Sequence, residues 1–169
     1  MRRKICEVIS EVARNLVDDE SNNQWPEILQ FLFQCANSSS SQLQESALRI
    51  FTSVPNIFGN QEAQYIDLIK QMFAKSLEPT ADVEVRFQAV RAVGAFILNH
   101  EKETQLHKHF SDLLPRMIMV IAESIEAADD QSLLKMFIEL AELCPKFLRP
   151  QLNVIFELCI KMLKTVGVT

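Results

Sequence analysis

The sequence predicts an all-α protein, built as a solenoid in which helix pairs stack in one direction. Two observations lead to this prediction: 48% of the 169 residues are hydrophobic, and the apolar residues recur with helical spacing at a period of about 42 residues. The β-branched runs lack the two-residue alternation that marks strands. With only three glycines, the sequence offers neither a phosphate-binding loop nor a dinucleotide fingerprint.

The repeat consists of five apolar positions that recur four times. The reference set lies within residues 85–96. The positions 42 and 84 residues before it, and those 48 residues after it, are also all apolar. Because every set has the spacing of one helix face, four similar amphipathic helices are predicted. The sets are Val85, Ala89, Ala92, Val93 and Phe96, then Leu43, Ala47, Ile50, Phe51 and Val54, then Met1, Ile5, Val8, Ile9 and Val12, and finally Leu133, Phe137, Leu140, Ala141 and Cys144.

A second kind of amphipathic helix alternates with the first. These helices are predicted at residues 24–36, 64–77, 109–127 and 150–164. We call them first-type helices and the repeated set second-type helices. The prediction is therefore a single solenoid segment, residues 1–169, with helix pairs at about 24–56, 64–99 and 109–148 and half repeats at 1–18 and 150–164.

Capping residues support the predicted boundaries. Residues 41–44, Ser-Gln-Leu-Gln, have the form of a capping box, and Asp82 and Asp130 are candidate N-cap residues. Pro55 and Pro145 each follow the last residue of an apolar set, where helices usually end.

A two-helix unit of this length cannot bury its own apolar face, so it must stack on similar units. Residues 82–94, Asp-Val-Glu-Val-Arg-Phe-Gln-Ala-Val-Arg-Ala-Val-Gly, resemble the second helix of a HEAT repeat. The fold expected from that likeness is a right-handed α-solenoid of HEAT repeats. Because the chain opens on a second-type helix and closes on a first-type helix, we expect a piece of a longer solenoid; the alternative is a short protein that dimerises or is capped by a partner.

Several short motifs resemble the importin-beta (karyopherin-beta) nuclear transport receptors, and in particular their importin-five branch. The motifs span nearly the whole chain, with departures around residues 38–41 and 79–82. Two of the motifs are more specific than the general HEAT-repeat pattern: Asn-Gln-Trp-Pro-Glu and Phe-Gly-Asn-Gln. The motifs lie at residues 2–6, 13–18, 23–27, 57–61, 108–115 and 144–150.

The resemblance implies a non-enzymatic receptor segment that takes part in nuclear import. It implies binding to Ran in its GTP form, to cargo proteins with basic nuclear localisation signals and to Phe-Gly nucleoporins. It also implies shuttling between cytoplasm and nucleus, without a cofactor. Ran contacts would lie on the face made by second-type helices. The polar positions expected on that face are Arg3, Glu7, Arg14, Glu45, Arg49, Arg86 and Arg91. For each of them an ordinary solvated helix face is the alternative.

Other candidate sites are weaker. His100, His107 and His109 could form a metal cluster with Glu101 and Glu103, but they fall at a predicted helix boundary and no two of the histidines have i, i+4 spacing, so we expect surface histidines and no metal. The four cysteines lie far apart among apolar residues and are expected to be buried. The acidic runs at 18–20 and 129–130 are expected to be solubilising turns.

Composition excludes further classes. A net charge of −5 and a pI near 5.2 disfavour direct binding to nucleic acid. The sequence also lacks an apolar run of the roughly 18 residues that a membrane-spanning helix needs, so membrane insertion is not expected. Two alternatives to a transport receptor remain: a generic HEAT scaffold that joins two proteins, and a helical regulatory region of an enzyme.

Overall fold

The computed structural model describes residues 1–18, 20, 22–127 and 131–167. In this part of the chain the only β-type pairing is an isolated bridge between Val17 and Asn23. The helices are α1 (Arg2–Asn15), α2 (Glu27–Ala36), α3 (Ser41–Ser53), α4 (Glu62–Ser76), α5 (Val83–Asn99), α6 (Thr104–Phe110), α7 (Leu114–Glu126), α8 (Ser132–Leu143), α9 (Pro145–Leu148) and α10 (Leu152–Gly167).

The long helices alternate between two layers, as the repeat predicts. The second-type helices α1, α3, α5 and α8 follow one another side by side. The first-type helices α2, α4 and α7 pack on them, and α10 packs on α7. Each helix therefore contacts mainly its neighbours in the stack, and the predicted all-α solenoid is confirmed.

Helix α5 lies at the centre of the core. All five residues of its apolar set are buried. The Phe96 ring lies 5.8 Å from the Phe51 ring of α3 and 5.1 Å from the Phe110 ring of α6. Phe73 of α4 joins the same cluster, 5.3 Å from Phe51. A continuous aromatic layer thus connects successive repeats.

The other apolar sets are buried less completely. Leu43 in the α3 set and Ala141 in the α8 set are exposed, and the other members of both sets are buried. In α1, by contrast, four of the five predicted core positions are exposed, and only Ile9 is half-buried. The face that α1 packs on α3 consists of Cys6, Ser10 and Ala13. The apolar pattern identified a helix face correctly, but no helix of the described chain covers it.

Most predicted helix ends lie within about three residues of the observed ones, and two differences affect how a helix is capped or divided. Ser40, not Ser41, is the N-cap of α3, and its hydroxyl accepts the Leu43 N–H at 3.4 Å. Gln44 reaches back to the Ser38 carbonyl instead of closing a capping box. The helix predicted from residue 109 is split, because α6 ends at Phe110 and α7 begins at Leu114.

Of the two predicted N-cap residues, one is confirmed and the other lies outside the described residues. Asp82 caps α5 as predicted, accepting the Glu84 N–H at 2.9 Å. Asp130 lies outside the described residues, as does the whole acidic run 129–130.

Close packing of α5 requires small residues. A Cβ atom on Gly94 would lie 2.2 Å from the Met136 sulfur of α8, so glycine leaves room for the Met136 side chain to pack against α5. Ala89 and Ala92 are fully buried on the same helix.

We predict that Ala89→Glu unfolds or aggregates the chain. The new carboxylate would be buried without a partner, which costs at least about 3 kcal/mol. Urea unfolding followed by circular dichroism checks this. Ala63→Glu on the exposed part of α4 is the matched control and should leave the midpoint nearly unchanged. Equal midpoints for both variants would show that the α5 register is wrong.

Candidate functional site

A polar groove crosses the face formed by the second-type helices. It encloses about 380 Å³ between α1, α3, α5 and α8. Three of the predicted partner-binding residues, Arg3, Arg49 and Arg91, line it together with Glu84, the one carboxylate among its described lining residues. Among these described lining residues, positive charges therefore outnumber negative ones. Its other side chains are neutral and form hydrogen bonds: Thr52, Ser53, Gln88 and Ser132.

Hydrogen bonds between helices fix the floor of this groove. The buried Gln88 amide donates to the Thr52 hydroxyl at 3.0 Å, which joins α5 to α3. Arg91 donates to the Ser132 hydroxyl at 2.8 and 3.0 Å, which joins α5 to α8. Arg91 also lies 3.4 Å from the Gln88 amide oxygen. Three successive second-type helices thus share one polar network, which holds the groove in a defined shape.

Glu45 lies beneath the groove and does not project from it. Its side chain is only 6% exposed, and its carboxylate accepts hydrogen bonds from Arg2 and Arg49. The Arg49 Nε atom lies 2.9 Å from Glu45 Oε1. Because a buried carboxylate needs compensating donors, this ion triad belongs to the α1–α3 contact. We predicted Glu45 at an exposed position, and that placement was wrong.

Two other predicted residues lie on α1 outside the groove. Glu7 is exposed and pairs with Lys4 at 3.0 Å. Arg14 pairs with Glu11 and donates to the Ser53 carbonyl at 3.0 Å, at the groove's edge. Both are ordinary surface ion pairs on the helix, which contribute little to stability.

Arg86 faces the other side of the molecule. Its guanidinium binds Glu123 of α7 at 2.5 Å and the Pro79 carbonyl at 3.2 Å. The reason is geometric: residues five positions apart on an α-helix are separated by about 140°. Arg86 therefore cannot share the direction of Arg91, and its predicted place on the second-type face was wrong.

The sequence contained a signal for part of the groove that we did not use. Glu84, Gln88 and Arg91 have the i, i+4, i+7 spacing of one polar helix face. The role of Arg2 could not be inferred this way, because its partner Glu45 is more than forty positions away along the chain.

A second groove, of about 420 Å³, lies between the end of α4 and α7 on the first-type side. Leu77, Met119 and Val120 supply its apolar surface, and the Met119 side chain is 67% exposed. Arg116 and Glu126 stand among its charged residues. This groove therefore offers an apolar floor with a charged border.

The three histidines do not form the surface cluster that we expected. His100 and His107 are buried, and only His109 is exposed. His100 lies between two carboxylates, with Nε2 2.8 Å from Glu62 and Nδ1 3.0 Å from Glu103. Burial disfavours the charged imidazole, but the hydrogen bonds and charges of the two glutamates outweigh it and raise the pKa of His100.

Within the described residues, no group of three or more histidines, cysteines and carboxylates is arranged to hold a metal ion. Cys6, Cys35 and Cys144 are buried as expected, whereas Cys159 is exposed. Burial raises the pKa of the Cys35 and Cys144 thiols, so neither is an activated nucleophile.

The acidic run at 18–20 is partly described. The Asp18 carboxylate accepts the N–H groups of Glu20 and Asn22 at 3.0 and 2.8 Å, and the Asn22 bond is the largest cause that lowers the pKa of Asp18. Asp19 lies outside the described residues. Within the described parts of the chain, no helix is both long and apolar enough to cross a membrane.

Comparison with known families identifies the chain. A family model described as "IPO5-like, TPR repeats" matches residues 1–158. The chain belongs to the importin-5-like family. This match covers most of the chain, including every helix that lines the groove, and it confirms the resemblance seen in the sequence motifs.

Individual relatives of this importin-5-like chain agree with the family match. A probable importin-5 homolog of Dictyostelium discoideum is 26% identical over 97% of this chain. Importin subunit beta-3 of Saccharomyces cerevisiae is 29% identical over 93% of it. The chain spans only 15% and 14% of the lengths of these two proteins.

Solved structures support the fold. The structure of Kap121p bound to Pho4p aligns with 98% of the chain at a TM-score of 0.74 and 24% identity. That of Kap121p bound to Nup53p aligns with 91% at a TM-score of 0.69 and 25% identity. The chain covers 16% and 14% of those two chains.

We predict that Glu45→Gln lowers the free energy of unfolding by about 1–3 kcal/mol, because the three charge-assisted hydrogen bonds from Arg2 and Arg49 are weakened in a buried position. Urea unfolding measures the change. Glu7→Gln removes the carboxylate of an exposed pair and should cost less than about 0.5 kcal/mol. A loss for Glu45→Gln no larger than that for Glu7→Gln would contradict the structural role of Glu45.

We predict that the stabilisation by His100 decreases as pH rises. Because the folded-state pKa lies above the ordinary value of about 6.5, the folded protein holds the proton more tightly than the unfolded chain. The contribution is complete below the unfolded-state pKa and is lost as pH rises through the folded-state pKa. The difference in unfolding free energy between wild type and His100→Gln should therefore be larger at about pH 5.5 than at about pH 9.

The matched control for this pH prediction is His109→Gln. His109 is exposed and lies 3.2 Å from Asp67 on the surface. Its substitution should change the unfolding free energy little at either pH. A pH-independent difference for His100→Gln would contradict the charged pairing of His100 with Glu62 and Glu103.

Proposed function

We propose that the chain is a non-enzymatic segment of a nuclear import receptor. In this proposal it contributes to binding Ran in its GTP form and cargo proteins with basic localisation signals, and it shuttles between cytoplasm and nucleus. The observation that supports the proposal best is the family match over residues 1–158. The relatives are importins, and one related structure, Kap121p, is bound to Pho4p.

The arginine-lined groove is our proposed contact for Ran. It lies on the second-type face, where the family resemblance puts Ran contacts. Arg3 is exposed on this face, and Arg49 and Arg91 line the groove beside it. Its excess of positive charge would favour an acidic patch on the partner, because complementary charges steer association and fix its register.

Basic localisation signals would bind elsewhere on the chain. A lysine- or arginine-rich peptide would be repelled by the groove, since like charges across an interface disfavour binding. The chain as a whole has a net charge of −5, so the surface outside the groove is the more acidic part. We assign cargo with basic signals to that acidic surface.

Phe-Gly nucleoporins are the third proposed partner. Kap121p in one related structure is bound to Nup53p. In this chain the groove between α4 and α7 offers Leu77, Met119 and Val120 to a partner's aromatic ring. An apolar centre with a polar rim is typical of protein–protein interfaces.

The experiment that tests the Ran proposal is a quantitative pull-down of the 169-residue chain with Ran loaded with GTP or GDP. We predict selective binding of the GTP form. Arg3→Glu should weaken it about tenfold, because a charge reversal within an interface costs on the order of 1.4 kcal/mol. Lys4→Glu makes the same charge change next to Arg3 but outside the groove lining, and it should retain binding.

Three outcomes would contradict parts of this proposal. Equal losses for Arg3→Glu and Lys4→Glu would point to a general charge effect and not to the groove. GTP-selective binding unaffected by Arg3→Glu would place Ran at another surface. Absence of Ran binding by this chain would contradict a Ran contact within it and would leave the segment as a spacer or cargo-binding surface. Absence of Ran binding by the full-length receptor as well would favour a generic HEAT scaffold that joins two other proteins.

A further inference from the structure

A third groove lies on the first-type side, between α2 and the start of α4, and encloses about 560 Å³. None of the described residues that line it is charged, although 23% of the residues in the chain are charged. Aromatic rings and side-chain amides supply its surface instead, and we call it the amide groove. A groove of this size can hold a short peptide segment. Its lining offers no ion pair to a charged one.

The aromatic wall of the amide groove consists of Phe33 of α2 and Tyr65 of α4. Their ring centroids are 5.9 Å apart, and both side chains are half-buried. Behind them the buried Phe58 ring lies 5.6 Å from each. Because Phe58 supports both rings, the wall is already formed before a ligand arrives, and little side-chain entropy would be lost on binding.

Side-chain amides follow the groove along α2. Gln30, Gln34 and Asn37 lie at positions i, i+4 and i+7 of this helix and its C-cap. Among the described residues, neither glutamine side chain and not the Tyr65 hydroxyl has a hydrogen-bond partner. Lys75 donates to the Asn37 side-chain oxygen at 3.5 Å, which leaves the Asn37 N–H groups as donors. The groove therefore offers a ligand several N–H and O–H donors.

We propose that the amide groove binds an uncharged, proline-rich segment of a partner protein in the polyproline II conformation. Such a segment packs its flat pyrrolidine rings on aromatic side chains. It lacks an N–H donor at each proline, and its backbone forms no internal hydrogen bonds, so its carbonyl oxygens remain free to accept from the groove. This site is separate from the groove between α4 and α7 that we assign to Phe-Gly nucleoporins.

The spacing of the amides fits the backbone of this ligand. Since each residue of an α-helix rises 1.5 Å, Gln30 and Asn37 are separated by about 10 Å along the axis of α2. A polyproline II helix completes one turn in three residues, or about 9 Å, so carbonyls on one side recur at nearly the same interval. A charged segment would lose hydration in this groove without gaining an ion pair, whereas a proline segment has no charge to desolvate.

The test is an NMR titration of the ¹⁵N-labelled 169-residue chain with decaproline capped at both ends, an uncharged peptide that forms a polyproline II helix. The side-chain amide signals of Gln30, Gln34 and Asn37 should shift and reach saturation, with a Kd of about 1 mM or lower. A Gly-Ser peptide of the same length is flexible and lacks pyrrolidine rings, so it should bind at least about tenfold more weakly.

Gln34→Glu is the decisive variant, because it replaces an amide donor by a carboxylate oxygen of the same size. The proline carbonyls can only accept hydrogen bonds, so decaproline should bind this variant at least about tenfold more weakly. Tyr65→Phe keeps the ring but removes one donor and should weaken binding about fivefold. Gln64→Glu is the matched control. It makes the same change at an exposed residue of α4 outside the described groove lining, and it should bind like the wild type.

Absence of saturable shifts at the three α2 amides would overturn the proposal. So would a Gln34→Glu variant that binds decaproline as tightly as the wild type, since the amide would then donate nothing to the ligand. Tighter binding of a Phe-Gly peptide than of decaproline in this groove would also overturn it and would assign the groove to nucleoporins. The same ¹⁵N spectra verify that each variant is folded, as expected for substitutions that preserve side-chain size at exposed or half-buried positions.

Discussion

The close packing of α5 against its neighbours is the constraint on which the rest of the structure depends. Helices α3, α4, α7 and α8 all pack on it, and ten of its residues are buried. Small side chains make this possible, since even a methyl group on Gly94 would collide with Met136. The same helix also presents Gln88 and Arg91 to the groove. The spacing that builds the core therefore sets the distances between the groove-lining side chains.

The fold could be predicted because it depends on periodic burial. The apolar set of α5 and most of those of α3 and α8 are buried as their spacing indicates. The α1 set shows the limit of predicting burial from spacing. Apolar spacing identifies an apolar helix face, but that face is buried only if another helix covers it. The division between α6 and α7 was not predicted either. The short 3₁₀ turn Ser111–Leu113 separates the two helices, but the pattern of apolar and polar residues continues through it.

The candidate site was predictable only in part. Arg3, Arg49 and Arg91 were found because each is polar on a face whose direction the repeat defines. Glu45 and His100 were misjudged, since charged and titratable residues are normally exposed, and the burial of these two depends on Arg2 and Glu62, which are distant in sequence. Arg86 was predicted on the wrong face because the direction of its side chain around α5 differs from that of Arg91. Long-range ion pairs carry no local periodic signal, and so the sequence pattern did not reveal them.

The nearest-neighbour organisation of the stack has a consequence for how the chain folds. Each helix packs mainly on the helices just before and after it in its layer or pair, so most stabilising contacts join residues within about one repeat of each other. Low contact order of this kind reduces the loop-closure entropy lost before contacts form and gives fast folding. The central pair of α4 and α5 can nucleate first, with structure spreading outward in both directions. During synthesis, the first repeats could therefore stack and fold together while later ones are still being made.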